Sequence, residues 1–140
     1  MMQQFEEFIV HQWMLFLALV VIIVLLVKSW IGVKGVKNIK PLEAISLINH
    51  ENAVVLDVRL ENEFKEGHIL NSIHIPVGAL QNQIKTLEKY KSAPIIVNCR
   101  TGNRANSACT LLRKQGFNNI YKLEGGILAW QNANMPLTKK

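Results

Sequence analysis

From Trp13 to Val27 the chain is apolar without interruption, and extending back to Phe8 admits only His11 and Gln12 as polar positions. Twenty helical residues span about 30 Å, the thickness of a bilayer's hydrocarbon layer. Beyond Lys28 the pattern changes to short alternating segments. Lys37–Ile39 reads as extended. Pro41 at N1 opens a helix with Leu42, Ile45, Leu47 and Ile48 on its apolar face. Ala53–Val58, apolar except at Asp57, reads as a parallel strand covered on both faces. Glu61–Glu66 is a short charged helical turn stopped by Gly67, and Ile69–Ile75 a strand broken by Pro76. Gln81–Tyr90 is amphipathic, with Ile84 and Leu87 inward. Ile95–Val97 reads as a buried strand, and Ala105–Gln115 as a helix capped by Gly116. Ile120–Leu123 is a last strand, and Gly125–Gly126 leads into a final helix around Ile127–Trp130. Strands alternating with helices predict an α/β domain with a mainly parallel sheet of five strands and right-handed crossovers.

At 140 residues the chain holds one compact domain plus something smaller. Three readings compete for the apolar run. A cleaved signal peptide needs a basic start and a small-residue cleavage site, whereas Glu6 and Glu7 precede this run and Leu25, Leu26, Val27 and Lys28 end it. A buried core helix is rarely apolar all round in so small a protein. A single membrane anchor fits best, with Trp13 and Trp30 near its ends. Lys28, Lys34, Lys37 and Lys40 follow the run with no acid among them. The positive-inside rule then places the C-terminal part in the cytoplasm, on a single-pass anchor in the inner (plasma) membrane. The expected organisation is a short extracytoplasmic segment at 1–7, a transmembrane helix at 8–27, a basic tether at 28–35 and a domain at 36–140.

The net charge is +6, of which residues 28–40 supply +4 and residues 41–140 another +4 against −2 from residues 1–27. That is too diffuse for a nucleic-acid footprint, and no basic stripe carries interleaved aromatics. The tether lysines suit anionic lipid headgroups instead. His50, His68 and His74 stand singly, so no spacing resembles a metal site.

Chemistry gathers between the fourth strand and the helix after it, at Cys99–Arg100–Thr101–Gly102–Asn103–Arg104. A strand–loop–helix unit aims loop N–H groups and the positive end of the helix dipole at one point, here the sulfur of Cys99. With Arg100 and Arg104 nearby, such a field favours thiolate. In open parallel sheets ligands bind outside the carboxyl ends of the strands, where Cys99, Asp57 and Arg59 all fall. Cys109, at helical spacing from Ala105, Ala108 and Leu112, reads as core rather than as a resolving thiol, and a disulfide to Cys99 is geometrically disfavoured.

Three blocks resemble the rhodanese superfamily. They are Asp57–Val58–Arg59 with Glu63–Phe64 and Gly67–His68–Ile69 through Ile75–Pro76; Cys99 through Arg104; and Leu123–Glu124–Gly125–Gly126–Ile127 with Trp130. The resemblance covers about residues 36–137 and implies a single rhodanese-like domain. It implies that Cys99 carries sulfur as a persulfide between a donor, such as thiosulfate or a persulfide, and a thiol or cyanide-type acceptor. Backbone N–H groups from Arg100 to Arg104, including Thr101, Gly102 and Asn103, become the anion cradle, and Arg104 closes the loop. Arg100 suits an anionic donor, and Asp57 and Arg59 become structural partners of the loop. No cofactor or metal is implied.

Phosphatase and arsenate-reductase loops are one residue longer than this Cys-x4-Arg, and Asn98 stands where a phosphatase carries histidine. A phosphatase-like hydrolase is therefore disfavoured. A non-catalytic membrane-tethered interaction module is the principal alternative, and the anchor leaves room for a membrane-protein partner. His68 reads as a hydrogen-bonded structural histidine, Phe64 and Trp130 as core or pocket-rim aromatics, and Glu61–Lys65 as a solvated face.

Overall fold

The computed structural model describes residues 1–30, 35–100 and 103–139. Residues 31–34, within the expected tether, and 101–102, within the expected loop, lie outside the described residues. The chain divides into two compact units, Met1–Lys34 and Gly35–Lys140.

The first unit is one helix, α1 (Met2–Trp30). Within its stretch Met2–Lys28 an 18-residue window reaches a mean hydropathy of 2.7 with none of it buried, so the helix is long and apolar enough to cross a membrane. The helix begins ahead of the apolar run because Gln3, Gln4, Glu6 and Glu7 are themselves good helix formers.

The second unit contains β1 (Val36–Ile39), α2 (Pro41–Glu51), β2 (Val54–Asp57), α3 (Glu61–Glu66), β3 (Ile73–His74), α4 (Leu80–Gln83), β4 (Ile95–Asn98), α5 (Asn103–Lys114), β5 (Ile120–Leu123) and α6 (Gly126–Asn132). The strands form one parallel sheet in the order β1-β5-β4-β2-β3. From β2 the chain moves outward to β3, and from β4 it moves the other way to β5. The topological reversal therefore falls between β2 and β4, the crevice where open α/β sheets bind ligands.

β4 is central, and all four of its residues are buried. Ile96 joins Ile39, Val55, Leu123, Ile127 and Trp130 in a core against α2 and α6. By strand alternation Ile95 and Val97 face the other side, where α5 packs on β4 and β5. Burying a side chain of this size contributes about 1.5–3 kcal/mol, and the central position of β4 is what fixes the residue that follows it.

Four expectations need correction. Leu42 is 73% exposed and Ala44 1% exposed, so α2 turns its first leucine outward and packs on the smaller residue. The strand expected over Ile69–Ile75 shrinks to Ile73–His74 because Asn71 takes a positive φ of 65° and Ser72 N–H closes a turn on the Ile69 carbonyl. Gln81–Tyr90 is not one helix: α4 gives way to a 3-10 segment over Ile84–Tyr90, where the Thr86 hydroxyl donates to the Gln83 carbonyl at 2.6 Å. α5 starts at Asn103 rather than Ala105, which moves Asn103 and Arg104 from the loop into the first helical turn.

Candidate active site

Parallel pairing sets Asp57 beside Asn98 at the carboxyl ends of β2 and β4. Cys99 follows Asn98 directly and is 1% exposed. The first turn of α6 closes over the backbone behind it. The Ile127 N–H donates to the Cys99 carbonyl at 2.8 Å and the Leu128 N–H to the Arg100 carbonyl at 3.3 Å.

Gly126 makes that closure possible. Its φ is +59°, and a Cβ there would overlap the Cys99 carbonyl oxygen and stand 2.8 Å from the Arg100 carbonyl carbon. Gly126→Ala must push the backbone under the thiol aside, at an expected cost of about 3 kcal/mol from left-handed strain and overlap together. Gly78 is the control, since nothing lies within 4 Å of a Cβ added there. Thermal unfolding of both variants checks this: Gly126→Ala melts well below the native chain and Gly78→Ala within about 0.5 kcal/mol of it.

Asp57 and Arg59 form a buried pair, 0% and 4% exposed. Arg59 Nε donates to both Asp57 oxygens at 2.9 and 3.0 Å, and Nη2 to Oδ2 at 2.7 Å. Its remaining donors reach the Gly67 carbonyl at 2.8 Å and the Glu63 carbonyl at 3.3 Å. Asn98 Nδ2 lies 3.4 Å from Asp57 Oδ2. The network thus runs from α3 through Arg59 and Asp57 to the residue before Cys99.

At the other end of the loop Arg104 forks onto Glu63, Nη1 to Oε1 at 2.8 Å and Nη2 to Oε2 at 2.9 Å. The solvated reading of Glu61–Lys65 therefore holds for Glu61 and Lys65, whose side chains are 73% exposed, but fails for Glu63 at 18%. A bidentate arginine partner draws an acid out of solvent, and nothing in the local charge pattern marks which of three glutamates that is. The hydrogen bonds from Arg104, aided by the Leu60 N–H, hold the Glu63 carboxyl below its usual range, while burial opposes them. The same carboxylate raises the Arg104 guanidinium and keeps it charged. A depressed folded pKa contributes stability above the ordinary glutamate value of about 4.3 and loses it as pH falls through the folded value. The native chain should therefore melt above Glu63→Gln by a constant margin at neutral pH, shrinking below about pH 4. A margin that grows in acid would contradict the pairing.

Phe64 stacks between His68 and His74, with centroids 3.7 and 4.3 Å away. His68 Nδ1 lies 2.9 Å from the Phe64 carbonyl, in keeping with a structural histidine. Trp130 is core, its Nε1–H donating to the Pro136 carbonyl at 3.1 Å. Cys109 is fully buried, and burial pushes its thiol up to about 12, so it stays protonated near neutrality. A cavity of about 200 Å³ opens beside Arg100, with Arg59, Glu63, Ile127, Leu128 and Leu137 also in its wall. Arg100 itself is exposed at its edge. The structure thus gathers Cys99, Arg100, Arg104, Asp57 and Arg59 at one end of the sheet. Glu63, Gly126 and the first turn of α6 join them, positions that motif blocks touched without assigning a role.

The chain is 34% identical over 141 residues to the uncharacterized protein YibN of Escherichia coli K12, covering 99% of both. It is 35% identical over 95 residues to the thiosulfate sulfurtransferase GlpE of Coxiella burnetii, covering 68% of this chain and 87% of that one. A rhodanese-related protein of Thermoplasma volcanium superposes with a TM-score of 0.67 at 34% identity, over 74% of this chain and 99% of the other. The Rhodanese-like domain family matches residues 40–133, a range that takes in β2 to α6 and every residue of the site. By sheet order, by the cysteine at the end of its central strand and by that match, the chain belongs to the rhodanese-like family.

Proposed function

We propose that the protein is a rhodanese-type sulfurtransferase that carries sulfane sulfur as a persulfide on Cys99, held at a membrane by α1 with its domain in the cytoplasm. The observation that carries the reading is the placement of Cys99 at the topological reversal, four residues ahead of the start of α5, since the first N–H groups of an α-helix have no partner within it. Such donors stabilise an anion on the sulfur. Similarity to a thiosulfate sulfurtransferase supports thiosulfate as a donor.

In the first half-reaction the Cys99 thiolate attacks the outer sulfur of thiosulfate. A new S–S bond forms, the old one breaks, and sulfite leaves with its electron pair. In the second, a nucleophile such as cyanide takes the outer sulfur, giving thiocyanate and returning the thiolate. Arg100 at the cavity edge draws the anionic donor in, and the loop N–H groups hold the persulfide between steps.

Steady-state thiocyanate formation by the full chain in detergent tests this. The expected result is turnover with parallel double-reciprocal lines for thiosulfate and cyanide, the kinetic mark of a covalent intermediate. No turnover with thiosulfate or a low-molecular-weight persulfide would overturn it in favour of an interaction module. For the anchor, the expected result is that the chain resists alkaline extraction from membranes and that protease reaches the domain only from the cytoplasmic side.

A further inference from the structure

Glu63 differs from the other acids of its helix. Glu61 pairs with Lys65, in solvent, at 3.1 Å, and such pairs contribute little. Glu63 meets two of the site's three arginines instead, Arg59 and Arg104. Its carboxylate holds Arg104 through two short bonds, and its carbonyl accepts from Arg59 Nη1. Arg59 leads through Asp57 to Asn98, just ahead of Cys99; Arg104 stands just beyond the loop. One residue of α3 therefore ties down both ends of the sulfur-carrying loop, across 41 residues of sequence. A loop anchored this way cannot widen without breaking one of the two ties.

We propose that Glu63 is a positioning residue for that loop, acting through Arg104. Its carboxylate holds Arg104, and with it the first turn of α5, in a fixed position relative to Cys99. The Leu60 N–H, which donates to Glu63 Oε1 at 3.2 Å, in turn holds the carboxylate in place. The proposal rests on the sulfurtransferase reading for its reaction, though not for its geometry.

The test is a double-mutant cycle on the full chain, using Glu63→Gln, Arg104→Met and the two combined. Glutamine retains an oxygen for the Leu60 N–H but removes the charge and one of the two acceptors that Arg104 uses. The readouts are the rate at which thiosulfate loads sulfur onto Cys99, followed by mass, and the melting temperature of each variant. Each single change is expected to slow loading by about tenfold or more, since small misplacements cost up to about 100-fold. The double variant should load no more slowly than the slower single variant, because both remove one interaction. Glu63→Asp should recover part of the rate, and Glu61→Gln all of it. Wild-type loading in Glu63→Gln, or effects that multiply in the double variant, would overturn the proposal. If the native chain takes up no sulfur, the sulfurtransferase reading fails separately. The rate of Cys99 alkylation by iodoacetate in the same four proteins then decides positioning by the same criterion.

Discussion

Cys99→Ala is expected to reduce thiocyanate formation to the uncatalysed background, a loss of at least about 10³-fold. The argument is covalent. Without the sulfur no persulfide can form, and neither Arg100 nor the loop N–H groups supply a second nucleophile. Cys109 cannot substitute, because it is fully buried and its thiol, pushed up to about 12, remains protonated. The fold should persist, since exchanging one small buried side chain for another costs about 1 kcal/mol. Circular dichroism and thermal unfolding alongside the assay separate lost chemistry from lost structure. Residual turnover above a few per cent would place the sulfur elsewhere.

Asp57→Ala is expected to give the largest loss of stability. Arg59 is 4% exposed and relies on the Asp57 carboxylate for its charge balance. Removing one partner of a buried pair leaves an uncompensated charge, at a cost of about 3–5 kcal/mol. For a domain of this size that lowers the melting temperature by on the order of 20 °C. Asp57→Leu combined with Arg59→Met should recover much of the loss, since apolar replacement of a whole buried pair is often neutral. A fall of only a few degrees in Asp57→Ala would mean that Arg59 finds water in the native state.

The elements that were legible in the sequence are those whose signal is local. β4 is a short β-branched run, β5 a short segment bounded by Ile120 and Leu123, Pro41 marks the start of α2, and Gly67 ends α3. The cysteine's position at a strand end follows from the same local pattern. What was not legible depends on partners distant in the chain. Glu61, Glu63 and Glu66 look alike in sequence, and only the fold brings Arg104 to one of them. The closure over the backbone at Cys99 comes from the Ile127 and Leu128 N–H groups at the start of α6, which bond the Cys99 and Arg100 carbonyls. Gly126 was visible as a turn residue, but not its closeness to the Cys99 carbonyl, because close approach of two backbones leaves no trace in composition. The late start of β3 depends on Asn71 adopting a left-handed conformation, which asparagine tolerates without requiring.

The measurement that bears most directly on the central claim is the intact mass of the full chain after thiosulfate treatment and again after cyanide. The account predicts a gain of one sulfur atom, its complete loss to cyanide, and no gain in Cys99→Ala. No gain from thiosulfate or from a low-molecular-weight persulfide, or a gain that survives in Cys99→Ala, would contradict it.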